Sequence, residues 1–160
     1  MDTRPIDLNA SHYGCFIQFV LLTIGHPYGG VGVVCCFYVD GIYIKDGRIL
    51  LVKRSCEPFK GFWHVVGGQV RKNEAFAEAL TREFKEETSL DIEVGNVIGW
   101  RAEQSFDRAK IIVIFEVASA VGEIELNYEN EDYAWFARLP VNSVFDYSKY
   151  LVGRQQLPAS

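Results

Sequence analysis

The chain has 160 residues, of which 49% are apolar, 23% charged and 14% aromatic, with a net charge of −5. This is one domain's worth of chain, able to bury a core without disulfides or structural metal, and its aromatic content excludes intrinsic disorder. Lys and Arg number 16 against 21 Asp and Glu. A nucleic-acid polymer is therefore not an expected partner, because a phosphate backbone demands the reverse balance. Phosphates would be met at one focused site, with a divalent cation.

Residues 1–13 are polar and read as an extended lead-in. The apolar stretch from Cys15 to Phe37 is broken by Gln18 and by His26-Pro27-Tyr28-Gly29-Gly30. Its cleanest piece, Phe19 to Gly25, is far shorter than the roughly 18–20 residues of a spanning helix. Asp2, Pro5 and Asp7 do not suit a signal peptide. No membrane association is expected, and a soluble cytoplasmic protein is. Cys15, Cys35, Cys36 and Cys56 form no C-x-x-C pair, so buried thiols are expected rather than zinc. Phe16 to Ile24 is β-prone and reads as an extra strand or packing segment. Residues 1–30 are thus an N-terminal extension and 31–160 a single domain. Covering the apolar segment with a second copy predicts a homodimer.

Val31 to Val39 is an apolar run of strand length. Asp40-Gly41 and Asp46-Gly47 are turn dipeptides, with a short strand Ile42 to Ile44 between them. Arg48 to Arg54 is the next strand, making a hairpin across Asp46-Gly47. A loop with Pro58 and Gly61 follows, then a β-prone Phe62 to Val66 that Gly67-Gly68 ends. Glu74 to Thr88 has helical composition, with Asn73 as N-cap. Further strands are expected at Ile92–Gln104, Lys110–Ala118, Glu123–Leu126 and Tyr133–Phe136, and a terminal helix from Pro140 through Leu151. The pattern predicts a mixed α/β layered domain.

The helix carries the chemistry. At about 100° per residue, Phe76, Ala79 and Leu80 form its apolar stripe. Glu83, Glu86 and Glu87 project onto that same face, while Glu74, Glu78, Thr81 and Lys85 project to the opposite side. Arg82 reaches Glu78 and Glu86 at i±4, yet one guanidinium does not neutralise so many acids. A solvated acidic helix end is the plain alternative, although acids near a helix C-terminus oppose its dipole. Clustered inward carboxylates repel one another unless a hard cation such as Mg²⁺ or Mn²⁺ joins them. The preceding Gly67-Gly68 pair lets backbone approach a bound ion or phosphate closely.

Gly68, Glu74, Arg82-Glu83, Glu86-Glu87 and Leu90 fall in the spacing G-x5-E-x7-R-E-U-x-E-E-x-G-U, with U apolar, over GQVRKNEAFAEALTREFKEETSL. The sequence resembles a Nudix hydrolase. Ser89 departs from the pattern, standing where the signature has its last glycine, which usually ends the helix in a left-handed conformation. The flanks agree: RILLVKR, then Gly61-Phe62-Trp63, and a late Tyr133-Ala134-Trp135-Phe136 leading into Leu139-Pro140. The resemblance implies an α/β/α sandwich with a mixed sheet. It implies Mg²⁺-dependent hydrolysis of a pyrophosphate linkage in a nucleoside diphosphate derivative, with Mn²⁺ as substitute.

By the same resemblance, Glu83, Glu86 and Glu87 are metal ligands, joined by a carbonyl of Gly67 or Gly68. Arg82 orients the glutamates, and Glu74 anchors the loop. The general base is Glu86, Glu87 or a carboxylate on a later loop. Among Glu129, Glu131 and Asp132, Glu131 is the choice. Arg54, Gly67, Gly68 and Trp63 are expected to touch substrate. Trp63, Trp100 and Phe106 are candidates for stacking a base, with burial in core or rim as the alternative. The string W-x-V-V-G-G-Q-V-x-K-x-E is similar to that of nucleotide-sugar hydrolases of this superfamily, while Glu86-Glu87 suits its pyrophosphate-cleaving majority. NTPs and dNTPs, nucleotide sugars, ADP-ribose and dinucleotide polyphosphates all remain open. A Nudix-like domain that binds a nucleotide or nucleotide sugar as a sensor, without cleaving it, is the competing reading.

Overall fold

The computed structural model describes residues 20–22, 33–104 and 108–151. Eight strands and two helices follow in chain order: β1 (Val20–Leu22), β2 (Val33–Lys45), β3 (Arg48–Arg54), β4 (Trp63–His64), β5 (Val66–Gln69), α1 (Phe76–Thr88), β6 (Asp91–Gln104), β7 (Arg108–Val121), β8 (Asn130–Phe136) and α2 (Ser148–Leu151). The long strand β2 organises the rest. One edge runs parallel to β7, from Val34 opposite Arg108 to Tyr43 opposite Val117. Its other edge pairs antiparallel with β1 and then with β5. Strand β3 meets β2 at the hairpin and otherwise lies between β4 and β8, while β6 pairs antiparallel with β7. The sheet is mixed, as the sequence predicts.

Alternation along the strands sends side chains to two opposite apolar layers. Leu50 and Val52 of β3 join Val39, Ala79, Leu80, Phe84 and Phe115 under α1. Ile49 and Leu51 join Ile42, Val65, Ile112, Ile114 and Tyr147 on the other side. Leu80 and Phe84 are fully buried, each contributing roughly 1.5–3 kcal/mol to the docking of α1. The second covering layer is thin. The terminal helix expected from Pro140 is confined to the four residues of α2, and the segment before it is irregular chain carrying Phe145 and Tyr147. No helix among the described residues is long and apolar enough to cross a membrane.

Asp46 and Gly47 make the expected two-residue turn, both with positive φ (50° and 70°), which matches the twist of the hairpin. Asp40-Gly41, by contrast, is no turn and lies inside β2. A Cβ on Gly41 would stand 2.5 Å from the Phe84 ring, so the glycine is a seat for the helix rather than a bend. Gly67-Gly68 likewise continues β5 instead of ending it, opposite Asp40 and Val39. The expected strand at Glu123–Leu126 is irregular. Ile124 and Leu126 do face the core, but the Glu125 and Asn127 N–H groups donate to the Thr88 and Glu87 carbonyls. This segment closes the C-terminal end of α1 instead of joining a ladder. From the N-terminal extension only β1 is described, as an added strand on β2. Cys15 and Phe106 lie outside the described residues.

Candidate active site

Helix α1 starts two residues later than the sequence predicts. Ala75 occupies the N-cap in extended conformation, while Asn73 sits in the loop with φ 63° and caps nothing. Glu78 closes the first turn by accepting the Ala75 N–H at 3.0 Å. Glu74 therefore belongs to the loop, and its carboxylate takes the Arg71 N–H at 2.7 Å. It is half-buried, not facing solvent with Glu78, Thr81 and Lys85. Ser89 ends the helix at φ 61°, with its N–H on the Lys85 carbonyl. A serine thus adopts the left-handed backbone that glycine usually provides.

Arg82 is the hub of the loop–helix junction. It binds Glu74 bidentately, Nε to Oε1 at 2.6 Å and Nη2 to Oε2 at 3.0 Å. Its Nη1 donates to Glu83 at 2.7 Å and to Glu86 at 3.2 Å, and Nη2 also reaches the Gln69 carbonyl at 3.0 Å. Glu78 is not among its partners. The hydrogen bond to Glu74 leads the effects that raise the Arg82 pKa. Arg71 adds a second guanidinium to Glu86.

Gln69, Arg71, Arg82, Glu83 and Glu86 line a cleft of about 570 Å³ that also receives Arg54, Gly67, Gly68, Glu87 and Glu129. The two glycines open opposite sides of β5. A Cβ on Gly68 would stand 2.4 Å from the Glu83 carboxylate, and one on Gly67 would meet the Val39 carbonyl at 2.1 Å and the Asp40 carboxylate at 2.9 Å. On the Glu83 side burial pushes that carboxyl's pKa up, against the pull of Arg82. Glu87 is deeper, 5% exposed, and burial pushes it up to about 8. Among the described residues the only side chain bonded to it is Asn130, whose Nδ2 donates to Oε2 at 2.9 Å.

Behind Asn130 stands His64. Its Nε2 is 3.1 Å from Asn130 Oδ1 and its Nδ1 is 2.8 Å from the Val65 carbonyl. Both neighbours only accept, so this orientation of the amide has a proton on each ring nitrogen, whereas burial pushes the ring's pKa down. Two arrangements close every bond. Ionised Glu87 goes with a protonated ring. Protonated Glu87 goes with the amide turned over and a neutral ring. Burial favours the second, and a cation beside Glu87 favours the first.

On the Gly67 side, Asp40 is half-buried, and desolvation raises its pKa. Arg101 Nη1 donates to Asp40 Oδ2 at 2.8 Å and the Tyr147 hydroxyl donates to the same oxygen at 2.9 Å. The guanidinium lies 3.5 Å over the Phe145 ring. This acid is matched within the protein.

Two expectations are corrected by placement. Glu131 is exposed and paired with Lys53 at 2.7 Å, and it is absent from the cleft. The bulge between Lys53 and Arg54 in the β3–β8 pairing sets Asn130 inward and Glu131 outward. Glu129, from the same acidic cluster, is the one in the cleft. Trp63 packs edge-on against Phe136, ring centres 4.9 Å apart, in the layer away from α1. Trp100 is exposed and does not line the cleft. His64, Asp40, Arg101 and Tyr147 also line the cleft and Asn130 stands against Glu87, placements that the sequence does not reveal.

Glu83, Glu86 and Glu87 offer hard oxygen donors of the kind Mg²⁺ takes, and the missing Cβ of Gly68 leaves room against the Glu83 carboxylate. Among the described residues no three Asp, Glu, His or Cys side chains converge to hold an ion as they stand. Glu83 and Glu86 turn to Arg82 instead.

The chain is similar to several known proteins. An ADP-ribose pyrophosphatase of Methanocaldococcus jannaschii is 41% identical over 85 residues, covering 52% of this chain and 50% of that protein. The nucleoside triphosphatase NudI of Escherichia coli K12 is 34% identical over 104 residues, covering 57% of this chain and 74% of NudI. The chain thus spans about half the length of the first and three-quarters of the second. In fold it is similar to the MutT NUDIX hydrolase of Burkholderia pseudomallei, with a TM-score of 0.67 at 24% identity, covering 73% and 95% of the two chains. Residues 35–151, most of the chain and all of the cleft, match the NUDIX domain, and the chain belongs to that family.

Proposed function

We propose that this chain hydrolyses a pyrophosphate linkage in a nucleoside diphosphate derivative, with Mg²⁺ as cofactor. The observation that carries the reading is Glu87: a buried carboxylate pushed up to about 8, beside Glu83 and Glu86, with an amide as its only side-chain partner among the described residues. Nudix hydrolases in general need a divalent metal, usually Mg²⁺. When bound, the cation neutralises charge on the phosphate oxygens while water attacks phosphorus. Glu83, Glu86 and Glu87 hold it. Arg82 fixes the glutamates by charge-assisted bonds. Glu129, half-buried in the cleft, takes the proton of the attacking water, in place of Glu131. Arg54 faces the same space, its Nε held by the Pro58 carbonyl at 2.9 Å, and contacts phosphate.

The names of the relatives favour ADP-ribose or a nucleoside triphosphate as substrate class. The test is a panel of NTPs, dNTPs, ADP-ribose and nucleotide sugars, with Mg²⁺ or with EDTA, reading inorganic phosphate before and after alkaline phosphatase. Phosphate that appears only after the phosphatase, and only with the metal, supports cleavage inside the polyphosphate chain. Turnover that continues in EDTA, or binding of every nucleotide with no turnover, sinks the reading.

A further inference from the structure

The reading above explains what Glu87 does and leaves open what keeps a buried carboxylate aimed. Three elements meet at this point. Glu87 comes from α1, Asn130 from the start of β8, and His64 from β4, and they form one hydrogen-bonded line ending on the Val65 carbonyl. Asn130 is 5% exposed and spends both ends of its amide in the line. An amide has a donor end and an acceptor end, and only its donor end suits an ionised carboxylate. Which end faces Glu87 is decided by what stands on the far side, and there the His64 ring presents Nε2 to Oδ1. The bulge between Lys53 and Arg54 delivers Asn130 to this position. The bond from Asn127 N–H to the Glu87 carbonyl ties the same loop to the residue's backbone. Side chain and main chain of Glu87 are therefore both fastened to the segment 127–130.

We propose that Asn130 and, behind it, His64 are positioning residues that fix the Glu87 carboxylate for cation binding. The inference rests on the reading of Glu87 as a metal ligand. His64 also lines the cleft, and it acts on Glu87 through Asn130. Groups that orient ligands in this way alter metal affinity by about 10–100-fold when removed.

The test is Mn²⁺ binding to the purified full chain without nucleotide, followed by electron paramagnetic resonance, with melting temperature, kcat and KM read alongside. Four variants are compared: Glu87→Gln, Asn130→Leu, His64→Leu and His64→Gln. Asn130→Leu keeps the volume and removes the donor, and is expected to weaken Mn²⁺ binding by at least about tenfold. His64→Leu is expected to weaken it about three- to tenfold, lowering kcat with KM for nucleotide within about twofold. His64→Gln places an N–H where Nε2 stands and restores binding to within about twofold of the wild type. The pair His64→Leu and His64→Gln decides the matter if Asn130→Leu does not fold. The proposal is overturned if His64→Leu binds Mn²⁺ as the wild type does, or if His64→Gln is as impaired as His64→Leu, since ring volume would then be what matters. If the wild type and Glu87→Gln bind Mn²⁺ equally, the reading of Glu87 as a ligand fails and the inference falls with it. Loss of binding in Glu87→Gln with wild-type binding in the others sinks the inference alone.

Discussion

Two carboxylates near the Gly67-Gly68 pair, Asp40 and Glu87, live in opposite circumstances. Asp40, next to Gly67, is matched by a guanidinium and a phenol that both donate to one oxygen. Glu87, on the Gly68 side with Glu83, has one neutral amide. Burial raises both pKa values. The first acid is completed by the protein's own side chains and holds the irregular C-terminal segment to the sheet through Tyr147. The second has no cationic side chain bonded to it among the described residues. A buried acid without a bonded countercharge is the better candidate for a functional group.

The sharpest way to break this contrast is to remove one charge at each place. Glu87→Gln keeps shape and relieves crowding, so kcat is expected to fall at least about a hundredfold, while the melting temperature in EDTA stays level or rises. Asp40→Asn is expected to do the reverse to the fold. It leaves Arg101 with only the more exposed Glu103 at 3.2 Å and costs about 2–4 kcal/mol, read by chemical denaturation and not restored by Mg²⁺. Matching stability losses in the two variants would erase the distinction.

Titration sharpens it further. Glu87 has its pKa raised from 4.5 to about 8, so between those values the folded protein holds a proton that the unfolded chain has released. Its contribution to stability is full below the lower value, falls as pH rises through the window, and is gone above the upper one. Metal-free protein is expected to lose melting temperature across that window, and Glu87→Gln to flatten the slope. Saturating Mg²⁺ should raise stability most at the alkaline end, by about 2.7 kcal/mol at a hundred times Kd. Asp40 adds a slope of the same sign that Mg²⁺ leaves in place.

Smaller effects separate the acids of the late loop. Glu129→Gln is expected to slow turnover about tenfold or more, within the usual reach of a lost proton acceptor, and Glu131→Gln to leave it within about twofold. Equal losses would restore Glu131 to the site. The smallest effect is at the end of α1. Ser89→Gly relieves a left-handed backbone and is expected to raise stability by about 0.5–1 kcal/mol with turnover unchanged, as measured by denaturant midpoint and steady-state rate.

The carboxylate face of α1 was legible because helical periodicity is local: Glu83, Glu86 and Glu87 share a side whatever the rest of the chain does. The hairpin at Asp46-Gly47 was legible for the same reason. Asp40-Gly41 has equally good turn chemistry and lies in mid-strand, because Phe84, more than forty positions away in sequence, needs the space a side chain would fill. An acid inside the apolar run of β2 was the signal for a half-buried ion pair, and reading the dipeptide as a turn concealed it. Ile124 and Leu126 alternate as in a strand, yet their backbone serves the helix end. Glu129 and Glu131 differ by a bulge, which depends on the pairing of β8 with β3 and leaves no trace in composition. His64 and Asn130 are single polar residues far apart in sequence, joined only once the sheet has formed.

The seat at Gly41 has a consequence for aim. Helix α1 presses the Phe84 ring into a keyway that exists because one residue of β2 has no side chain. Glu83 and Glu87 flank Phe84 on the helix, one residue before it and three after, so the angle at which the ring enters sets the compass heading of both carboxylates. The direction in which this helix points its acids is thus written in a strand of another layer. Filling that keyway would rotate the helix like a turned dial, and a smaller side chain at position 84 would be the matching adjustment.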